Sequence, residues 1–159
     1  LGREQETDRD KLRARAKEVA SKQQANYVEG RLGLIIDGTG KDYDKIAKQA
    51  TDLKQMGYDV HMIFVNTDLD TALERNKSRP RQLPDAIVTK DWNSSQKNIA
   101  SMQKLFKRDF MQVSNDDDLQ SLQTKANKLY SKLMTWTTSF PSNKLAKKWK
   151  DQELQLKKS

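Results

Sequence analysis

Apolar residues recur along this chain with two periods, and the places where the period changes mark its elements. Between Lys11 and Gly30, Leu12, Ala16, Val19 and Tyr27, with Gln23 filling the remaining place, fall at spacings of four, three, four and four. That is one stripe of an α-helix suited to covering a sheet face, and Gly30 should stop it. The apolar run Leu32 to Ile36 follows at once and reads as a buried parallel strand that delivers Asp37 to a strand-helix junction. Asp42 or Asp44 can cap a second helix whose face is Tyr43, Ile46, Ala47, Ala50 and Leu53, with Gly57 where a left-handed C-terminal residue belongs. Residues 59–65, apolar from Val60 to Val65 except for His61, have the composition of an interior parallel strand. Strand, helix and strand would then make one right-handed βαβ unit.

Beyond Asn66, Thr67 and Asp68, which are turn and cap residues, a short helix from Leu69 should carry Leu73 inward and Arg75 and Arg79 outward. Pro80 and Pro84 break the chain twice, and Pro84 opens a helix whose buried face is Val88, Trp92, Ile99, Met102 and Phe106. Residues 109–114 form a third, shorter strand that ends in the turn-prone run Asn115 to Asp118. Leu119, Leu122, Ala126, Leu129, Leu133 and Trp136 mark a strongly amphipathic helix. After Pro141, Ser142 could cap a last basic helix with Leu145, Trp149 and Leu156 on one side. The fold class is therefore α/β with a helix-rich C-terminal part, divided into a domain at 1–140 and a basic helix or tail at 141–159.

Composition changes this picture in three ways. In 159 residues the hydrophobic fraction is 35% and the charged fraction 33%, which suits long solvated helices around a modest sheet. The net charge is +8, and residues 142–159 hold six lysines against Asp151 and Glu153, so half the excess lies in the tail. Charge of this sign favours polyanions such as nucleotides or nucleic acid, although a solvated lysine surface is its other meaning. There is no cysteine and one histidine, His61, which excludes disulfides, a thiol nucleophile and a cysteine zinc site and leaves no material for a histidine-rich metal site. His61, within a strand, reads as a hydrogen-bonded core residue. No apolar run is long enough for a membrane span, and the expected compartment is the cytoplasm.

Asp37 has two physical readings. A carboxylate at the end of a buried strand can hold Mg²⁺ while neighbouring glycines let backbone N–H groups approach phosphate. The same Asp-Gly pair also makes a tight turn in which Asp37 only caps the next helix. Arg75 and Arg79, four apart on one helix face, and Arg81 in the proline-bounded loop suit an anionic ligand, because guanidinium forms bidentate bonds to phosphate. Solvated arginines paired with carboxylates such as Glu74 are the alternative. Trp92, Trp136 and Trp149 stand at helical apolar spacing and read as core or docking residues, and Asp116 to Asp118 as a solvated turn.

Taken in order, Gly30 to Tyr43, then Gly57-Tyr58-Asp59-Val60, Phe64-Val65-Asn66-Thr67, and Ala72-Leu73-Glu74-Arg75-Asn76 with Arg79 resemble the zeta-toxin-like P-loop kinases encoded by tailed phages, relatives of phage polynucleotide kinase and of zeta toxins. The resemblance runs from about Arg13 to Asn115 and more loosely to Trp149. It implies a P-loop NTPase-like three-layer αβα fold with a mainly parallel sheet, and transfer of the ATP γ-phosphoryl group to an acceptor hydroxyl. It places Asp37, Gly38, Thr39 and Gly40 beside the phosphates, with Asp37 at Mg²⁺ and Asn115 towards the base, and it makes Arg75, Arg79 and Arg81 groups of a mobile lid. The family's G-x-x-x-x-G-K-[ST] loop is expected upstream of the first helix, and the 159 residues contain no such motif. The chain thus reads as the C-terminal portion of such a kinase, inactive alone, which partners a nucleotide and a hydroxyl acceptor in the host cytoplasm. The alternative is a non-enzymatic α/β scaffold, degenerate at the ATP site, that binds a protein or nucleic acid through its basic surface.

Overall fold

The computed structural model describes residues 3–116 and 119–158, and side chains over 8–116 and 120–158. It divides into two units, Leu1–Gly38 and Thr39–Ser159. In the first, helix α1 runs from Arg3 to Glu29, starting eight residues earlier than its apolar stripe suggests. Pairs four apart such as Lys22 and Glu18, 2.7 Å, help to support its solvated surface. Leu12, Val19 and Tyr27 are exposed, not buried as a sheet-covering stripe would have them. The helix ends in a Schellman turn, with the Leu32 N–H on the Tyr27 carbonyl at 2.8 Å and the Arg31 N–H on that of Val28 at 3.1 Å. The left-handed residue is Arg31, φ 53°, rather than Gly30.

The expected strand at Leu32 to Ile36 is not formed. Residues 32–39 enter no ladder among the described residues, and Ile35 is fully exposed at 102%. An apolar run states which side chains could be buried; a strand also needs a neighbour for its main-chain groups. The βαβ unit expected on either side of residues 43–55 is therefore absent, and Asp37 is not delivered by a buried strand.

In the second unit, helix α2 spans Tyr43–Gln55, strand β1 Met62–Asn66, helix α3 Leu69–Lys77, helix α4 Asp85–Phe106, strand β2 Phe110–Ser114, helix α5 Leu119–Thr138 and helix α6 Lys144–Leu156. Asp42 caps α2, its Oδ1 accepting from the Lys45 N–H at 3.0 Å. Gly57, φ 108°, closes that helix, and a Cβ there would stand 3.4 Å from the Ala146 nitrogen in the first turn of α6. Strands β1 and β2 pair in parallel, from Met62 opposite Phe110 to Asn66 opposite Ser114. A parallel pair needs a crossover, and α3 and α4 supply it. The helix-rich architecture with a parallel pair is consistent with α/β.

The core lies where α2, β1 and α4 meet. Ala50, Leu53, Phe64 and Phe106 are buried around Met102, which is fully enclosed. On α5, Leu122, Leu129, Leu133 and Trp136 lie half-buried along the predicted face. The tail differs from expectation. Asn143 rather than Ser142 caps α6, and Leu145, Trp149 and Leu156 are exposed. Of the predicted turn after β2, Asp117 and Asp118 lie outside the described residues.

Candidate active site at the carboxyl edge of the sheet

Parallel strands end side by side, and here the chain turns after Asn66 and after Ser114 at one edge, where ligands of open α/β sheets bind. The edge is tied together by main-chain and amide bonds. The Asn115 N–H donates to the Asn66 carbonyl at 2.8 Å, extending the ladder by one bond. Asp116 accepts from the Asp68 N–H through Oδ1 at 2.8 Å and from the Ser114 hydroxyl through Oδ2 at 3.2 Å, joining the start of α3 to the end of β2.

Helix α4 supplies the other wall, and its stretch from Asp91 to Asn98 presents a polar row. Gln96 Nε2 donates to Asn66 Oδ1 at 2.6 Å, and Trp92 Nε1 to the Thr67 carbonyl at 2.7 Å. One face along, Ser95 Oγ donates to the Thr39 carbonyl at 2.9 Å and Asn98 Nδ2 to that of Gly40 at 3.1 Å. Lys41 adds an ion pair with Asp91, 2.7 Å. The segment Thr39 to Lys41 is thereby held against α4 by three side chains.

Gly40 is buried with φ 74°, and a Cβ would meet the Phe64 ring at 3.0 Å. Its glycine thus serves close packing against β1 as well as a left-handed turn. The N–H groups of Thr39 and Gly40 have no hydrogen-bond partner among the described residues. They are the donors this segment can offer an anion.

The arginines divide. Arg75 is half-buried and gives Nη2 to the Asn115 carbonyl at 2.7 Å, linking α3 to the end of β2. Arg79 does not share a helix face with it, because α3 ends at Lys77 with Ser78 as its cap. Pro80 explains the difference: a residue before proline is pushed out of the helical region. Arg79 and Arg81 both lie exposed in the loop that follows. The structure thus brings Arg75 and Asn115 together and places Thr39 and Gly40 on α4. Asp37 and Gly38 are exposed in the extended segment of the first unit.

Ser95, Gln96 and Asn98 are edge residues to which the sequence pattern assigned no role, and Asn66 and Asp116, expected only as turn residues, join them there. Ser95, Gln96 and Asn98 interrupt an apolar helical pattern with amides and a hydroxyl, which is the signal that could have drawn attention to them.

At the opposite, amino end of the sheet, His61 stacks on Trp136 with ring centroids 4.2 Å apart. Its Nδ1 lies 3.2 Å from Asp109 Oδ1 without a hydrogen bond, so the expected hydrogen-bonded core histidine is instead a stacked, half-buried one. A cleft of about 280 Å³ there is lined by Lys54, Tyr58, Asp59, His61, Asp109 and Asn143 among others. Asp59 accepts from the Ser142 N–H at 2.6 Å, the Ser142 hydroxyl at 2.9 Å and the Asn143 N–H at 3.1 Å, fastening the start of α6.

Among the described residues, no three His, Asp or Glu side chains converge as a metal cage. No helix of the described residues is long and apolar enough to cross a membrane.

Comparison with curated proteins and with solved structures returns no match. A family model does match, over residues 3–132, and its description is Zeta toxin. The match spans the parallel pair, the crossover helices and the polar carboxyl edge, and the chain belongs to the zeta toxin family of P-loop kinase-like proteins.

Proposed function

We propose that these residues belong to an ATP-dependent phosphotransferase, which moves the γ-phosphoryl group of ATP to an acceptor hydroxyl. The bond from the acceptor oxygen to phosphorus forms as the β–γ bridge breaks, and ADP leaves. The observation that supports the reading is the carboxyl edge itself, where Arg75 is bonded to Asn115 beside the ends of two parallel strands, with Arg79 and Arg81 exposed in the loop that continues the helix of Arg75. In the family to which the chain belongs, kinase-like phosphoryl transfer is the indicated chemistry.

Arg79 and Arg81 are the groups assigned to charge developing on the transferring phosphoryl, with Arg75 holding α3 in place beneath them. The Thr39 and Gly40 N–H groups face phosphate oxygens, and Asn115 lies towards the base. Asp37 would hold Mg²⁺, through water or directly; when bound, the ion would neutralise phosphate charge.

The test is transfer of labelled γ-phosphate in a polypeptide that joins these residues to the family's phosphate-binding loop. Replacing both Arg79 and Arg81 by Ala should lower turnover by ~10²-fold or more, the scale of losing positioned donors to a transition state. Turnover unchanged in that double variant would overturn the assignment of the loop as a lid.

A further inference from the structure

The loop after α3 has its shape set by one amide. Asn76 is a buried polar side chain, 5% exposed. Its Nδ2 donates to the Leu83 carbonyl at 2.8 Å, and its Oδ1 accepts from the Leu83 N–H at 3.0 Å. The side chain thus pairs with both main-chain groups of a residue seven positions on, as a neighbouring strand would. It closes the base of a loop whose tip carries Arg79 and Arg81.

Shorter bonds fill in the frame. Gln82 Nε2 donates to the Lys77 carbonyl at 2.6 Å, Ser78 Oγ to that of Arg75 at 2.9 Å, and the Arg79 N–H to that of Asn76 at 3.3 Å. Pro80 restricts the tip and Pro84 ends the loop as the residue before α4. One position before Asn76, Arg75 fastens the same helix to Asn115. Two adjacent side chains therefore act in opposite directions, one holding α3 to the sheet and the other holding the loop to α3. Neither Arg79 nor Arg81 has an ion-pair partner among the described residues.

A buried amide with both functions satisfied is a costly way to fill space, because losing either bond leaves a buried polar group unpaired. It is an effective way to fix a backbone. We propose that Asn76 is a positioning residue that preforms the Arg79–Arg81 arm for the polyphosphate chain of a nucleoside triphosphate. The proposal rests on the phosphotransferase reading and narrows it. With the loop closed beforehand, two guanidiniums meet the anion without the entropy of ordering the segment that carries them.

The experiment titrates the 159-residue chain with inorganic tripolyphosphate at low salt, following the backbone amides and arginine Nε–H signals by NMR. Asn76→Ala and Asn76→Asp at neutral pH should each weaken binding by about fivefold or more, while the double Arg79→Ala, Arg81→Ala variant should weaken it by ~10-fold or more. Acid should separate the two Asn76 variants. A protonated carboxyl offers one O–H donor and one carbonyl acceptor, the same pattern as the amide, so Asn76→Asp should regain affinity relative to the parent chain at the same pH and Asn76→Ala should not.

If the double arginine variant binds as the parent does, or the parent does not bind, the phosphate reading of the arm fails whatever Asn76 does. If the arginine variant loses binding while folded Asn76 variants keep it, the arm reading stands and the positioning role is overturned. Should the Asn76 variants not fold, hydrogen exchange in the parent decides. The Leu83 amide should be protected before ligand is added; free exchange there would show that the arm is not preformed and overturn the proposal.

Discussion

The two ends of one small sheet are built from different chemistry. At the carboxyl end the contacts are amides, main-chain groups, a guanidinium and the Asp116 carboxylate: Gln96 on Asn66, Asn98 on Gly40, Arg75 on Asn115, Asp116 on Asp68. Two arginines are left exposed in the loop that follows the helix of Arg75. At the amino end an aromatic stack of His61 on Trp136 and the carboxylate of Asp59 hold α5 and α6 in place. The same strands thus organise donors at one edge and fasten helices at the other. Substitutions of exposed charged side chains at the carboxyl end and of helix-fastening side chains at the amino end should therefore separate, with function lost at one and stability at the other.

The largest separation is expected from the loop arginines. In a polypeptide carrying the phosphate-binding loop, the double Arg79→Ala, Arg81→Ala variant should lose ~10²-fold or more in turnover, while its thermal melting stays within a few degrees of the parent, because both side chains are exposed. A melting loss as large as the activity loss would erase the distinction between the two ends.

Gly40→Ala tests whether the carboxyl edge also depends on packing. It forces a Cβ into a left-handed backbone and against Phe64, so a loss of ~2–3 kcal/mol in denaturant unfolding is expected. Asp59→Ala is the counterpart at the other end. It removes the acceptor of three bonds at the start of α6 and should cost about 1–2 kcal/mol, with tripolyphosphate binding unaltered. Trp136→Ala, which removes a half-buried ring from His61, should cost about 1–2 kcal/mol, read in the same way.

The smallest effect is electrostatic. The exposed lysines of α6, Lys144, Lys147 and Lys148, should give a weak affinity for nucleic acid that falls steeply with salt. Loss of that affinity on truncation after Phe140, with tripolyphosphate binding retained, would keep the tail distinct from the carboxyl edge.

Local features were legible in the sequence. Asp42 as a cap, Gly57 as a left-handed terminator and the half-buried face of α5 depend on residues within one or two turns of one another. What was not legible needed a distant partner. The run Leu32 to Ile36 has strand composition, but no spacing of apolar residues can say whether another strand's main chain will lie beside it. Arg79 seemed to continue the face of Arg75 because a count of four ignores Pro80, which ends the helix first. Asn76 gave no periodic signal at all, since its value comes from Leu83 seven residues on, and the pair Asn66 and Gln96 are thirty apart. Site residues built on such bonds become visible only once the chain is folded.

The proposed function makes the carboxyl edge, and not the amino end, the phosphate-binding side of this sheet. Its most direct test is the map of backbone amide shifts when the chain is titrated with tripolyphosphate. The account predicts shifts at Thr39, Gly40, Arg79, Arg81 and Asn115, with Asp59, His61 and Asp109 unmoved. Shifts confined to the Lys54 to His61 end, or spread evenly over the lysines of α6, would contradict it.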